Sequence, residues 1–304
     1  MSSPAPTSAQ PDPVALARLR QARGFLLDMD GTIYIDEVLV PGARELLAWL
    51  VRHDRRFVFV TNNSSARARD YLARLARLGI EVAPSQVITS GDATISYLLR
   101  HTPHRSAYVV GTPGFVDECR DQGLDVDAAD PDCVVVGFDK TLTFAKLERA
   151  CTLLFAGKPY YATHPDKTCI TTHGLIPDIA AIIAACEAVT GRTPKIIGKP
   201  YPEMVDAACA RIGVAIDDAV IVGDQLDTDM AMAHASGTLG VLVMTGETLA
   251  DAWTGQPGGG SPGQGPGQVT TGTPPVVPPA PMNGRRLTAR GVEQVWKWLE
   301  SAGS

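Results

Sequence analysis

Short apolar runs that alternate with amphipathic stretches of helical period restrict this chain more than any other feature. GFLLDMD (24–30), RFVFVTN (56–62), SAYVVG (106–111), CVVVGF (133–138), PYYAT (159–163), PKIIG (194–198), AVIVGD (219–224) and GTLGVLVMTG (237–246) each read as a strand that is apolar along most of its length. A strand without polar alternation is buried on both faces, the state of a parallel strand covered by helices. The intervening stretches supply those helices: ARELLAWLVRHD (43–54), SARARDYLARLARLG (65–79) with Gly79 as its C-terminal cap, 113–122, 143–157, IPDIAAIIAACEAVTG (176–191), 201–213 and 226–236. The chain is therefore expected to be α/β, a Rossmann-like three-layer parallel-sheet core. The segment in the middle folds as its own layer, so the chain leaves the first domain and returns to it. The first pattern resumes at PKIIG and continues through helix 201–213 and AVIVGD.

Composition removes several alternatives. A chain of 304 residues that is 45% hydrophobic can bury a substantial core. A formal charge of −6 and a pI near 5.5 offer no basic field to nucleic acid. No apolar run approaches the roughly 20 residues that span a bilayer, and MSSPAPTSAQPDP lacks both parts of a secretory leader. The six cysteines are scattered singly, without metal-site spacing or the density of a disulfide scaffold. These features point to reduced thiols and a cytoplasmic location. Residues 1–11 and the Gly/Pro-rich stretch 254–281 are too poor in apolar side chains to bury and are expected to be flexible. After them, Val292, Val295, Trp296 and Leu299 share one face of a final helix that should dock on the main domain.

Polar residues gather where four of the strands end, and ligands of open α/β sheets bind outside those carboxyl ends. After the first strand come Asp28, Met29, Asp30, Gly31 and Thr32. Two acids at i and i+2 can converge as the chain bends, one attacking and the other moving a proton; an ordinary turn also favours Asp and Gly. Thr61, Asn62 and Asn63 present a hydroxyl and backbone amides as an anion cradle, with Ser64 or Ser65 equally suited to plain helix capping. Lys199, in GKP, sits in extended backbone ahead of Pro200, from where its ammonium can neutralise a carboxylate and a phosphate oxygen. Asp224, Asp227 and Asp229 close the set in GDQLDTD. Carboxylate oxygens suit Mg²⁺, and Asp224 is the best-placed ligand; either of the other two could instead be a helix-start acid.

DMDGT, TNN, GKP and GDQLDTD, in this order at four strand ends, resemble the four motifs of the haloacid dehalogenase-like phosphatases. VVGFDKTLTFAKLERA, YYATHPD and TGRTPKIIGKP are similar to the subgroup holding NagD, 4-nitrophenyl phosphatases and phosphoglycolate phosphatases. The resemblance spans about residues 24–250 and implies a Mg²⁺-dependent hydrolase of small phosphate monoesters. It makes Asp28 the nucleophile and Asp30 the acid that protonates the leaving oxygen and then activates water. Gly31, Thr61, Asn62, Asn63 and Lys199 would receive the phosphoryl group. Asp28, Asp224 and the main-chain carbonyl of Asp30 would bind Mg²⁺, with Asp229 supporting the metal waters or Lys199.

About thirty residues separate Asp28 from Thr61, whereas 138 positions separate Thr61 from Lys199, so the insertion lies between the second and third motifs. The expected division is a discontinuous core of residues 12–101 and 195–304, with residues 102–194 as an α/β cap of the C2 type. Selectivity would then come from the cap, where His164, Asp166, Thr172 and His173 are candidate contacts to the leaving group. His164 stands where many relatives have Asn. The expected partner is a small phosphorylated metabolite, with neither nucleic acid nor membrane. A homodimer through the cap is what the resemblance allows. Two rival readings remain, a phosphotransferase or mutase using the same aspartyl phosphate and a metabolite-binding module without turnover. An intact Asp30 argues against the second.

Overall fold

The computed structural model describes residues 11–171, 174–245 and 286–301. The expectations for residues 1–10, for Thr172 and His173 and for the stretch 254–281 lie outside these. Helix α1 (Pro13–Gln21), capped by Asp12, leads into β1 (Gly24–Asp28). A short hairpin, β2 (Tyr34–Ile35) and β3 (Val38–Leu39), precedes α2 (Ala43–Arg52), β4 (Arg56–Thr61), α3 (Ala68–Arg77), β5 (Val87–Thr89) and α4 (Ser90–His101). The chain then builds a second layer from β6 (Ala107–Val110), α5 (Pro113–Asp121), β7 (Cys133–Val136), α6 (Phe144–Phe155), β8 (Tyr160–Ala162), the separate hairpin β9 (Thr168–Thr171) and β10 (Gly174–Pro177), α7 (Ile179–Thr190) and β11 (Lys195–Ile196). It returns through α8 (Pro202–Ile212), β12 (Ala219–Gly223), α9 (Ala231–Ser236), β13 (Leu239–Val243), β14 (Arg286–Ala289) and α10 (Val292–Glu300).

The first sheet has the order β14-β13-β12-β1-β4-β5, and every neighbouring pair is parallel. Both faces are covered, which is why its strands are continuously apolar. Phe25, Leu27, Phe57, Phe59, Val220 and Val222 face α1, α2, α3 and α10, while Leu26, Val58 and Ile221 face α8 and α9. Register brings Asp28 opposite Val60 and Leu27 opposite Val222. The loops after β1, β4 and β12 therefore open side by side on one edge.

The second sheet, β11-β8-β7-β6, is also parallel. Here the structure corrects the strand pattern: Lys195 and Ile196 pair with Tyr161 and Ala162, so PKIIG completes the second sheet and the first resumes after it. Helices α6 and α7 cover one face, and α5 with Ile95 and Leu98 of α4 covers the other. The Phe115 ring locks the layers together. A Cβ on Gly91, Gly111 or Gly137 would lie 2.7, 2.6 or 2.8 Å from that ring, so only glycine admits it at all three positions.

Several elements are absent from the sequence reading. Residues 87–101 form β5 and α4, and β2 with β3, β9 with β10 and β14 are strands too short or too mixed in polarity to stand out. Residues 226–236 read as one helix, yet Leu226–Met230 winds as a wider π turn before α9 begins. Val292, Val295 and Leu299 are buried as their helical spacing predicts, and Trp296 packs at the edge of the same cluster. No helix among the described residues is long and apolar enough to cross a membrane.

Docking of α10 is testable. Leu299 is 1% exposed, so Leu299→Ala should lower unfolding stability by about 2–4 kcal/mol in urea titration. A change under about 0.5 kcal/mol, typical of a surface site, would mean that the helix does not pack as described.

Candidate active site

β1 delivers Asp28 to the edge where three loops meet, and the turn after it is built from its own backbone. The Met29 carbonyl accepts from Ile33 N–H at 2.8 Å and from Thr32 and Tyr34 N–H at 3.2 Å. Gly31 has φ +84, and a Cβ there would lie 2.4 Å from Asp224 Oδ2, so glycine is required both for the bend and for the approach of Asp224. The Thr32 hydroxyl donates to Asp224 Oδ1 at 3.2 Å. The π turn brings Asp229 back over Gly223, where a Cβ would meet the Asp229 carboxyl carbon at 2.3 Å. An ordinary helical turn would not have to bend this way, and π turns are frequent at functional sites.

Lys199 ties these acids together. Its Nζ donates to Asp28 Oδ1 in a short contact and to Asp229 Oδ1 at 2.8 Å. Oxygens of Asp28, Asp224 and Asp229 all lie within 4.8 Å of one another. Asp224 and Asp229 are 1% exposed and Lys199 is 4% exposed, so the charges meet away from bulk water. Burial pushes the Asp28 carboxyl up to about 6; Lys199 opposes the rise and Asp224 adds to it. Asp229 is likewise pushed to about 6 by burial, with Lys199 pulling down and Asp28 pushing up. Burial works against the Lys199 charge, but Asp229 and Asp28 outweigh it and hold the ammonium above the ordinary lysine pKa. Three carboxylates around one ammonium leave negative charge uncompensated, a donor set that fits a hard divalent cation.

Asp30 stands apart from that cluster, at the mouth. Its side chain is largely exposed, with Arg74 Nη1 3.4 Å from Oδ1 and the Tyr34 hydroxyl 3.5 Å from Oδ2. Arg74 lies 4.4 Å over the Tyr34 ring and donates to the Asp36 carbonyl at 2.8 Å, so the guanidinium is itself held. Partial burial raises the Asp30 pKa and Arg74 opposes that rise.

The TNN turn departs from the expected cradle. Thr61 ends β4 beside Asp28, and its hydroxyl accepts from Asn63 N–H at 3.2 Å. Asn63 Oδ1 accepts from the Ser65 N–H and hydroxyl at 2.9 and 2.8 Å. Asn62 Oδ1 accepts from Lys199 N–H at 2.8 Å, and its Nδ2 donates to Lys199 O at 3.1 Å and to both Asp166 oxygens at 3.1 and 3.2 Å. The Asn62 and Asn63 side chains thus build the site, which leaves the cradle expected of this turn to its backbone and the Thr61 hydroxyl. His164 is also placed differently from its expected role at the leaving group. It is fully buried, with Nδ1 2.9 Å from the Thr163 hydroxyl and 3.2 Å from that of Ser90, and Nε2 3.1 Å from Asp178. Every polar atom of the ring faces protein. Asp227 is exposed and outside the cluster, whereas Asp229 is buried within it.

Arg74 and Tyr34 are surrounding residues that the sequence does not single out, and Thr32 is named there without the role it has here. Its bond to Asp224 spans 192 positions, so nothing within DMDGT announces it. Arg74 is one of several arginines along α3, and nothing in their spacing distinguishes it.

A family model described as haloacid dehalogenase-like hydrolase matches residues 25–125, and a second, HAD-hydrolase-like, matches residues 196–259. The dihydroxyacetone phosphatase of Corynebacterium glutamicum (strain R) is 34% identical over 222 residues, covering 73% of this chain and 81% of that protein. The ribonucleotide monophosphatase NagD of Escherichia coli (strain K12) is 32% identical over 231 residues, 75% of this chain and 90% of that one. The crystal structure of 4-nitrophenylphosphatase from Thermotoga maritima superposes with a TM-score of 0.77 at 37% identity, covering 93% of this chain and 99% of that one.

The raised carboxyl values carry a sign that can be checked. A carboxyl with a folded-state pKa near 6 holds its proton more tightly than in the unfolded chain, where the value is near 3.8. Such groups favour folding most at the acid end and count increasingly against it as pH rises from about 4 through about 6. In EDTA, Asp229→Asn should therefore gain stability relative to the wild type as pH is raised over that window, measured by urea unfolding at several pH values. A difference independent of pH would show that Asp229 does not titrate there.

Proposed function

Because the chain belongs to the haloacid dehalogenase-like hydrolases, among the NagD and 4-nitrophenylphosphatase-like phosphatases, we propose that it hydrolyses small phosphate monoesters through an aspartyl phosphate on Asp28. That it is a phosphomonoester hydrolase of small phosphate substrates follows from its homologues. The observation that carries the covalent step is the Lys199 ammonium seated on Asp28 and Asp229 at the end of β1. A carboxylate can approach an anionic phosphate only where positive charge screens both.

In this reading an Asp28 oxygen attacks phosphorus as the bond to the ester oxygen breaks, and Asp30 gives its proton to the departing alkoxide. Water then attacks the phosphoryl group while Asp30 takes up its proton, and phosphate leaves with Asp28 restored. Lys199 and the Thr61 hydroxyl hold phosphoryl oxygens, in keeping with a reaction in which positioning and charge neutralisation are the main demands. Asp30 suits the proton step because it is at the mouth, has a raised pKa and is not tied to Lys199. Asp28, Asp224 and the Asp30 carbonyl, supported by Asp229, would hold Mg²⁺. The ion would supply the charge that screens nucleophile from phosphate.

We read the second sheet and its helices as a cap over this edge, running from about residue 102 to β11. Contacts across the junction support this: Asn62 with Asp166, the Ser64 hydroxyl 2.9 Å from that of Thr163, and Arg67 with Glu118 at 2.9 Å. A cap excludes water and screens leaving groups by shape. The relatives' substrates, dihydroxyacetone phosphate, nucleoside monophosphates and nitrophenyl phosphate, bound the class of ester to test.

Phosphate release from such a panel should require Mg²⁺ and cease in excess EDTA. Undiminished release in EDTA would remove the metal from the reading, and phosphate appearing only on an added alcohol would make the protein a phosphotransferase. Asp28→Asn should lower turnover by roughly 10⁴-fold or more while circular dichroism stays unchanged. Substantial residual activity would sink the covalent route.

A further inference from the structure

Two polar side chains beside the proposed nucleophile are engaged with main chain or with each other, and their pattern has a direction. The Asn62 carboxamide lies edge-on to Lys199, accepting from its N–H at 2.8 Å and donating to its C=O at 3.1 Å. This is the two-point pairing that a neighbouring strand would make. The amide nitrogen also meets both oxygens of Asp166, at 3.1 and 3.2 Å. A carboxylate accepts, so Asp166 holds the amide in the same orientation that the Lys199 N–H and C=O require. With the amide reversed, its carbonyl would face a carboxylate and its NH₂ would face the Lys199 N–H. The β8 end closes the clamp from the other side: Gly198 N–H donates to the Thr163 carbonyl at 2.7 Å. A Cβ on Gly198 would lie 2.4 Å from that carbonyl and 2.8 Å from Asn62 Oδ1, so no other residue fits between them.

Lysine carries its ammonium on a flexible four-carbon stem, so its placement depends on how firmly the backbone beneath it is held. Small displacements at a reacting centre are costly. We propose that Asp166 and Asn62 are positioning residues that set the Lys199 ammonium against Asp28. The second sheet would then govern charge at the site through Lys199 main chain, and not by touching the leaving group. This rests on Asp28 and Lys199 forming the phosphoryl site.

The test uses the full chain with Mg²⁺ and compares Asp166→Ala with Asp166→Asn. Inorganic phosphate has no leaving group, so its inhibition constant reports on the phosphoryl site alone. It is measured together with kcat/KM for 4-nitrophenyl phosphate and for the smaller glycerol 1-phosphate. Asp166→Ala should weaken phosphate and lower kcat/KM for both esters by a common factor, roughly 10-fold for a lost hydrogen bond to a charged group. Asp166→Asn keeps an acceptor oxygen and should lose less. In a Lys199→Ala background, Asp166→Ala should weaken phosphate no further. A loss confined to one ester with phosphate affinity unchanged would make Asp166 a leaving-group contact and overturn the proposal. So would a full additional loss without Lys199. If Asp166→Ala does not fold, Asp166→Asn decides on the same quantities: an unchanged phosphate constant and unchanged kcat/KM would refute the clamp. Wild-type protein that neither binds phosphate nor cleaves either ester would remove the phosphatase reading itself.

Discussion

The Lys199 ammonium between Asp28 and Asp229 is the contact on which the site depends. Withdrawing a single ion from water costs on the order of several kcal/mol even after relaxation, and this cluster withdraws three acids and one base. The arrangement is tenable only because opposite charges meet at hydrogen-bond distance and glycines let them approach. Gly31 makes room for Asp224, Gly223 for Asp229 and Gly198 for the Thr163 carbonyl and the Asn62 carboxamide. The remaining negative charge is what a divalent ion would neutralise before an anionic phosphate could approach.

Sheet order converts this local chemistry into geometry. β1 lies between β12 and β4, so residues nearly two hundred positions apart in the chain, such as Thr32 and Asp224, reach hydrogen-bond distance without any long loop. Parallel pairing points every strand the same way and collects their carboxyl ends on one edge. The second sheet extends the constraint. Its β8 strand and the turn after it supply Thr163, His164 and Asp166, which meet Ser64, Ser90 and Asn62 of the first sheet in a buried polar seam. Buried polar groups that are fully partnered fix a relative orientation, whereas an apolar seam could slide.

Much of this architecture is legible in the residues alone. Continuous apolar runs mark the buried parallel strands, and helical spacing marks α2, α3, α7, α8 and the docking face of α10. The acids, the TNN turn and Lys199 stand out because each lies just after an apolar run. What escapes a reading of the sequence has physical reasons. β5 is three residues long and flows directly into α4, so neither period has room to show. The π turn at 226–230 is imposed by Asp229 folding over Gly223, a contact that local propensity does not encode. β11 carries the same apolar signature whichever sheet it joins, since both sheets are parallel and covered on both faces.

Residue type and order alone determined the α/β class, the insertion between the second and third motifs and the residues that reach the strand ends, because these depend on burial period and chain spacing. Only the tertiary structure decided which polar atoms face the site and which are used in building it. Asp229 and Asp227 are both acids in the same turn, yet one pairs with Lys199 and the other faces solvent. Asn62 and His164 are as polar as any ligand-binding residue, but Asn62 is engaged by Asp166 and His164 by Ser90 across the seam, with Thr163 and Asp178 taking up the rest of the imidazole. A hydrogen bond depends on where two atoms finish in space, and when the partner lies a hundred residues away the sequence records only that a donor or acceptor exists.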